Sequence, residues 1–576
     1  MTLCFEREIV MSILEKCKEC LQKGQIYELQ AGVKVYKIEK GSTTSEYALV
    51  QKGILDDGYV LADSWEECGS HFATYQKGNE LLYIALWERS GKLQVISDRN
   101  ERLVALDGKN RAALADKCIC SPLLTQVRMM YYAVNCGMSY IIRLTDGRFV
   151  IIDGGDGEYE ESEHLLELLK EQNVLEGKPQ VAAWFFTHPH DDHVLLFHDI
   201  MKNHRDELQI ESLVYSWASP EYGVQDWVSV LHNEVVAKYC QDMTVIQPHT
   251  GQRLIYPGVT FSVLYVHEDM CPEYISFLND TSLVMRMDVD AEEEEKTEKR
   301  RVMFFGDALQ TTADVLCAQY EPGILQCEMM QVAHHGFGGG SPELYRMVDP
   351  EVVLWPLPDY CYLLVCDQRS NSVIVQSEKA DTVYMGGSQE VTIDLWQSVL
   401  PSDKPYEPYE KAVSGDVLYE ENFGKDRIFD LHWSCIYTAT PDYAAAKIAL
   451  ENGECHLESQ NKLAMIVLME PGMFCAAQKW TVALKGRANA VEEAFLTWNY
   501  VYPEAFKAEE ALPLPMIDGE EFDFQVSVDC DAGKAILTNN GNIVQEFSFP
   551  VEWKKGLYFV IKNGDITMKH IRVVKD

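Results

Sequence analysis

The segment Thr187-His188-Pro189-His190-Asp191-Asp192-His193 gathers three imidazoles and two carboxylates. Nitrogen and oxygen donors at that density suit borderline-hard divalent ions. An apolar run, Val181 to Phe186, precedes the segment and reads as a buried strand. A second run, Val194 to Phe197, follows it and reads as the start of a helix. A strand-to-helix turn so composed is where an α/β protein builds a metal site. Three further apolar runs end in similar groups. Asp153 closes Phe149–Ile152, Asp307 follows Phe304-Phe305-Gly306, and His334 and His335 follow Val332-Ala333. In an α/β sandwich such strand ends can converge on one rim.

The elements that must carry these groups are visible as periodicity. Ile9 to Leu21 has helical spacing and stops near Gly24. From Val33 to Leu106 short strands are expected at Val33–Tyr36, Tyr47–Gln51, Tyr59–Ala62, Leu81–Trp87 and Lys92–Ile96, forming a small β-rich module of its own. Tyr140–Leu144 and Phe149–Ile152 flank Thr145-Asp146-Gly147, a hairpin signal. From about 126 to 395 strands and helices alternate, the α/β signature. The acidic run from Asp288 to Glu295 reads as a solvated hairpin tip. After about 420 the chain is strand-rich again, with strands at Ala464–Met469, Trp480–Leu484, Phe522–Val528 and Leu557–Ile561 and a tight turn at Asn539-Asn540-Gly541-Asn542. The expected organisation is an N-terminal helix plus β-rich module over 1–125, a catalytic α/β domain over 126–400 and an all-β sandwich over 425–576.

Composition narrows the function. The 576 residues carry a net charge of −40, which repels polyanions and argues against long nucleic acid as the usual partner. No stretch has the length to span a bilayer, and the N-terminus lacks the pattern of a secretory signal. The 17 cysteines, odd in number and without framework spacing, fit free thiols in a reducing cytoplasm. Cys17 and Cys20, and likewise Cys118 and Cys120, have no second pair at zinc-finger spacing and read as inert.

With these residues in place, the stretch from 126 to 395 resembles the metallo-β-lactamase-fold hydrolases. It carries their His-x-His-x-Asp-His signature as His188, His190, Asp192 and His193. The nearest resemblance is to the competence-protein-type and phosphorylcholine-esterase-like members, through Asn279-Asp280-Thr281-Ser282, Gly306-Asp307-Ala308 and Ala333-His334-His335-Gly336. The resemblance implies an αββα sandwich and two metal ions, zinc expected, with manganese or iron as alternatives. His188 and His190 would hold the first ion, Asp192 and His193 the second, and Asp307 would bridge them. One of His334 and His335 would complete the second site; His335 is preferred as ligand and His334 as the group facing substrate, with the alternative open. Asp153 would orient a metal-bound histidine or the water. The family's further histidine, between the metal loop and the bridging aspartate, has no clear counterpart. His267 is a candidate for that place, and the site could be mononuclear without it.

Two ions about 3.5–4 Å apart would make hydroxide available near neutral pH for attack on phosphorus or a carbonyl carbon. Asp192 would also help orient that nucleophile. The leading expectation is hydrolysis of a small phosphodiester or phosphomonoester. Lactone or thioester hydrolysis is the alternative within the same chemistry. A non-enzymatic glycan- or protein-binding role with a vestigial metal site is the alternative outside it, with the C-terminal module as the binding unit. Trp217, Tyr222, Trp227 and Asn279 are candidates for a substrate wall, the aromatic faces suiting a base or a quaternary ammonium group.

Overall fold

The computed structural model describes residues 12–30, 33–98, 118–129, 131–132, 135–157, 161–291, 300–357, 362–366, 368–387, 390–397, 399, 414–421, 436–438, 446–451, 453–469, 479–497, 507–551 and 557–576. Two sheets stack face to face in the middle of the chain. One runs in the order Thr244–Ile246, Ser212–Val214, Gln180–Phe185, Phe149–Ile152, Tyr140–Arg143, Leu123–Gln126 and Val391–Asp394. The other runs Arg253–Tyr256, Val259–Tyr265, Val284–Val289, Arg301–Phe304, Met329–Gln331, Val352–Trp355 and Thr382–Met385. Their inner faces share one core, in which Tyr140, Phe185, Phe261, Phe304 and Leu354 are fully buried or nearly so. Helices Glu161–Gln172, Asp191–Asp199 and Trp227–Tyr239 cover the first sheet through Trp184, Phe186 and Phe197. Helices Gln310–Gln319 and Pro342–Val348 cover the second. This is a four-layer αββα arrangement. Strands buried on both faces read as continuous apolar runs, which is why they stand out in the sequence. The hairpin through Thr145-Asp146-Gly147 forms as expected, with Tyr140 opposite Ile152. Strands Val284–Val289 and Arg301–Phe304 pair antiparallel around the acidic run, the second half of which lies outside the described residues.

The N-terminal region departs from expectation in two ways. Residues 47–51 belong to a helix, Thr44–Asp56, and not to a strand. A reciprocal capping box decides the matter: Thr43 accepts from the Glu46 amide while Glu46 accepts from the Thr43 amide. This helix and Ile13–Leu21 cover one face of a six-stranded antiparallel sheet that includes Gln25–Gln30 and Ser70–Lys77, both unforeseen. The sheet is also not a separate module. Phe72, Ala85 and Trp87 on its other face join the core of Leu264, Tyr265 and Tyr320 beneath the second central sheet. Lys37 and Lys92, both buried, reach across this contact. Lys37 donates to the carbonyls of Glu268, Asp269 and Cys271 at 2.7–3.1 Å, and Lys92 to those of Asp269 and the side chain of Gln319.

At the C-terminus eleven strands among the described residues form a β-rich unit around a core of Trp480, Phe524 and Phe559. The strand Val417–Glu421 also pairs into it, so it extends upstream of 425. The turn at Asn540-Gly541 has both residues at positive φ, as a tight two-residue hairpin demands.

Candidate metal centre

All four sequence-marked strand ends meet at one rim. Asp153 leaves its strand in the left-handed region (φ 56°) and turns its carboxylate back toward the metal loop. There it accepts from the Thr187 amide (2.7 Å), the Thr187 hydroxyl (2.8 Å) and His193 Nδ1 (2.8 Å). Burial raises the pKa of Asp153, and these donors only partly offset that. The helix expected from Val194 begins earlier, at Asp191, and so carries Asp192 and His193 in its first turn. Asp192 is thereby placed where the helix dipole favours a carboxylate.

Asp307 sits on a turn opened by Gly306 (φ 54°), where an added Cβ would come within 2.7 Å of Thr187. Only glycine lets the two loops approach so closely. The Asp307 amide donates to Ser282 Oγ (3.1 Å), and Asp280 accepts from the Leu309 and Thr312 amides at the start of the next helix. The Asn279–Ser282 stretch therefore acts on the site by fixing the Asp307 turn. His334 and His335 both adopt positive φ, and the turn is clamped from outside. The Trp355 indole donates to the His335 carbonyl (2.9 Å), and Asn371 donates to that of Gly336 (2.7 Å). Non-glycine residues persist in that conformation only where surroundings over-determine it.

Two ligand clusters result. Asp192, His193, Asp307 and His335 offer atoms all within 4.8 Å of one another, and so do His188, His190 and Asp307. Asp307 belongs to both. His193 Nε2 stands 3.2 Å from Asp307 Oδ1, and His335 Nε2 stands 3.3 Å from Asp192 Oδ2. Within this buried cluster His193 Nε2 and Asp307 Oδ1 have no properly directed hydrogen bond among the described residues. Convergent buried carboxylates and imidazoles with unspent lone pairs fit a divalent cation.

The electrostatics agree. Burial pulls the His193 imidazole toward its neutral form, but Asp307, Asp192 and Asp153 outweigh it and hold its pKa well above the ordinary value. Burial alone would raise Asp307, yet His193 and His335 keep it well below the usual carboxylate range. His188 goes the other way: burial, with His193 and His190 beside it, holds it neutral, the form that ligates.

His334 lies in neither cluster. Its Nε2 is 3.9 Å from Asp307 Oδ2, and its side chain is 28% exposed at the open side. His267 also lies in neither. Its Nδ1 faces the Ser216 carbonyl at 3.1 Å, because Lys37 and Lys92 draw its turn toward the N-terminal sheet. Beside the metal loop lies a cavity of about 360 Å³ whose wall includes Pro189, Trp217 and Thr281. Tyr222 and Trp227 are not in that wall. The Tyr222 hydroxyl donates to the Glu28 carbonyl (2.6 Å) and so docks the N-terminal sheet, while Trp227 is 57% exposed. Asn279 is buried in its turn and is likewise absent from the wall. Thr187, Ser282 and Asp280 were not foreseen as functional; Thr187 opens the histidine motif, the one signal that pointed to it.

The model of the metallo-beta-lactamase superfamily matches residues 137–259. The αββα unit has the fold of that superfamily. None of the curated proteins matches the chain. Among solved structures, the metallo-beta-lactamase fold protein YhfI from Bacillus subtilis is 13% identical over 40% of this chain and 85% of its own, with a TM-score of 0.26. CmlA, a diiron beta-hydroxylase from Streptomyces venezuelae, is 11% identical over 41% of this chain and 44% of its own, with a TM-score of 0.25. A Bacillus subtilis protein with a galectin-like fold is 11% identical over 28% of this chain and 97% of its own, with a TM-score of 0.20. Likeness at this level says nothing about activity.

The Asp153–His193 hydrogen bond yields a direct expectation. An Asp153→Asn chain should bind a divalent ion, with zinc as the probe, about ten- to a hundredfold more weakly, as when a partner that orients a ligating imidazole is lost. Zinc competition against a chromogenic chelator measures this; unchanged affinity would assign Asp153 to the fold alone.

Proposed function

We propose that this protein is a metal-dependent hydrolase of small phosphate esters, holding two divalent ions, zinc by preference. The observation that carries the reading is the sharing of Asp307 between two buried ligand clusters. His188 and His190 would hold one ion, and Asp192, His193 and His335 the other, with Asp307 between them. Bound there, divalent cations supply Lewis acidity: they bring the pKa of a coordinated water toward neutral and screen charge on phosphoryl oxygens.

The chain's own groups do the rest. Asp153 fixes the ring of His193, so that Nδ1 is spent on the carboxylate and Nε2 faces the cluster. Asp192, in the helix's first turn, would accept a hydrogen bond from the attacking water. His334, at the open side, can donate from Nε2 to a phosphoryl oxygen as charge builds on it. In the reaction the water oxygen would bond to phosphorus as the ester P–O bond breaks, and the proton lost by the water would pass to the departing oxygen, which leaves as the alcohol, or to solvent when it leaves as a phenolate. Phosphate esters are favoured over lactones and thioesters by the Asn279–Ser282, Gly306–Ala308 and Ala333–Gly336 stretches noted in the sequence.

Metal content together with turnover of bis-p-nitrophenyl phosphate, a lactone and a thioester tests the reading. The phosphodiester is expected to be the preferred substrate. Asp192→Ala should lower its turnover at least a hundredfold, about 2.7 kcal/mol of barrier. Activity unchanged by that substitution would remove the metal mechanism, and preference for the lactone or thioester would remove the phosphate-ester assignment.

A further inference from the structure

Between the strand Ser212–Val214 and the helix Trp227–Tyr239 the chain crosses the rim beside the metal loop without regular structure. This crossing, Tyr215–Gln225, supplies half of the lining of the cavity whose wall also includes Pro189. Its bonds to itself are few and local. The Tyr222 and Gly223 amides donate to the Ser219 carbonyl (3.0 and 3.1 Å), and Gln225 Nε2 donates to the carbonyls of Ala218, Gly223 and Val224. These bonds close a turn but do not fix where the turn stands. A segment with so little structure of its own opens locally unless its neighbours hold it.

Two supports hold it, and both reach the N-terminal sheet. The first is direct. Ser219 Oγ donates to the Leu29 carbonyl (2.9 Å) and the Tyr222 hydroxyl to the Glu28 carbonyl (2.6 Å), both on the strand Gln25–Gln30. Tyr222 also packs against the buried cluster that includes Leu29, Val35 and Tyr83. The second support runs through the turn at 267–275. The Val224 amide donates to the Ile275 carbonyl (3.0 Å), the Ile275 amide donates to the Tyr222 carbonyl (2.9 Å), and His267 Nδ1 faces the Ser216 carbonyl at 3.1 Å. Lys37 and Lys92 of the N-terminal sheet grip that turn by the carbonyls of Glu268, Asp269 and Cys271. Hydrogen bonds from a buried ammonium are of the stronger, charge-assisted kind. Yet the sheet lends the cavity no residue: among the described residues the lining holds nothing before Pro189.

We propose that the N-terminal sheet sets substrate affinity from outside the site, and that Tyr222 is the positioning residue through which it acts. With Tyr215–Gln225 held before substrate arrives, the cost of ordering that wall on binding is already met. The substrate's identity rests on the phosphate-ester reading, and its nearness to the wall rests on Pro189, which lines the cavity and stands between His188 and His190. Tyr222 takes no part in bond breaking.

The test uses the full-length, metal-loaded protein and three variants. Tyr222→Ala removes ring and hydroxyl, and Tyr222→Phe removes the hydroxyl alone. Tyr59→Phe removes a hydroxyl bonded within the N-terminal unit, to Glu80 (2.7 Å), and not to the segment. Hydrogen exchange read by mass spectrometry over 215–225 should be at least tenfold faster in Tyr222→Ala, intermediate in Tyr222→Phe and parental in Tyr59→Phe. Peptides of the metal loop should exchange as in the parent in all three. KM for bis-p-nitrophenyl phosphate should rise about three- to tenfold in Tyr222→Ala, with partial recovery in Tyr222→Phe, while kcat falls much less. A merely loosened fold would instead speed exchange in the metal loop as well and act on kcat. Parental exchange over 215–225 in Tyr222→Ala, or an unmoved KM whatever kcat does, would overturn the proposal, and so would equal shifts in Tyr59→Phe.

If the parent chain does not cleave the phosphodiester, the phosphate-ester reading has failed, and KM is read with the lactone or thioester that it does cleave. If it cleaves none of the three, exchange alone decides. Faster exchange confined to 215–225 then upholds the positioning role of Tyr222, and parental exchange overturns it.

Discussion

If the proposed phosphate-ester activity and two-ion site hold, an Asp307→Asn chain is expected to lose at least a thousandfold in phosphodiester turnover and to retain at most about one divalent ion where two are expected in the parent. A thousandfold corresponds to about 4 kcal/mol of barrier. The effect should exceed that of Asp192→Ala because Asp307 belongs to both ligand clusters, whereas Asp192 belongs to one. The amide keeps the shape of the side chain and its amide link to Ser282, and so isolates the lost charge. Elemental analysis after dialysis, with circular dichroism to verify the fold, measures both numbers. Two ions retained with parental turnover would show that the clusters do not work as one site.

The second large effect lies away from the metal rim. His249 is wholly buried between two carboxylates, with Nδ1 2.7 Å from Glu268 and Nε2 3.2 Å from Asp98, the latter on the last strand of the N-terminal sheet. Burial alone would lower its pKa, but Glu268 and Asp98 outweigh burial and push it up to about 10. A raised pKa means that the folded chain holds this proton more tightly than the unfolded one. The stabilisation is therefore complete below about pH 6.5, the value for a free imidazole, and fades as pH climbs toward 10. His249→Gln should cost about 3–5 kcal/mol at pH 6, the penalty for leaving buried carboxylates without their cation. The gap between parent and variant in denaturant unfolding should then narrow steadily up to pH 10. A gap of constant size across that range would mean that the imidazole's charge contributes nothing to the docking.

The candidate metal rim was readable in sequence because its residue types cluster locally. His188 to His193 lie together, and each of Asp153, Asp307 and the His334–His335 pair directly follows a run apolar enough to be a buried strand. Which imidazole goes where was not readable. That depends on backbone φ at His334 and His335 and on clamps from Trp355 and Asn371, residues distant from the motif. The cavity was half visible. Trp217 drew notice as an aromatic, but Gln247 and Asn233 reach the wall from other elements and carry no motif. Tyr222 and Trp227 looked equivalent to Trp217, since spacing does not reveal which aromatic docks a sheet and which faces water.

The helix Thr44–Asp56 was misread because Tyr47, Ala48, Leu49 and Val50 suit a strand as well as a helix turn. The signal that settles it, Thr43 with Glu46, stands just upstream. The strands Gln25–Gln30 and Ser70–Lys77 escaped because polar residues interrupt their apolar alternation. No local pattern announces that Trp87 will rest against Tyr320, since the partner lies far along the chain.

That last contact sets the order of assembly during translation. Phe72, Ala85 and Trp87 leave the ribosome well before Leu264 and Tyr320 are made, and chains emerging this way fold their leading part first. The early sheet waits with an apolar face uncovered until the later half arrives to lie on it. Its exposure to chaperones and its tendency to self-associate should fall only after Tyr320 and the later residues of that core have left the ribosome and packed against it.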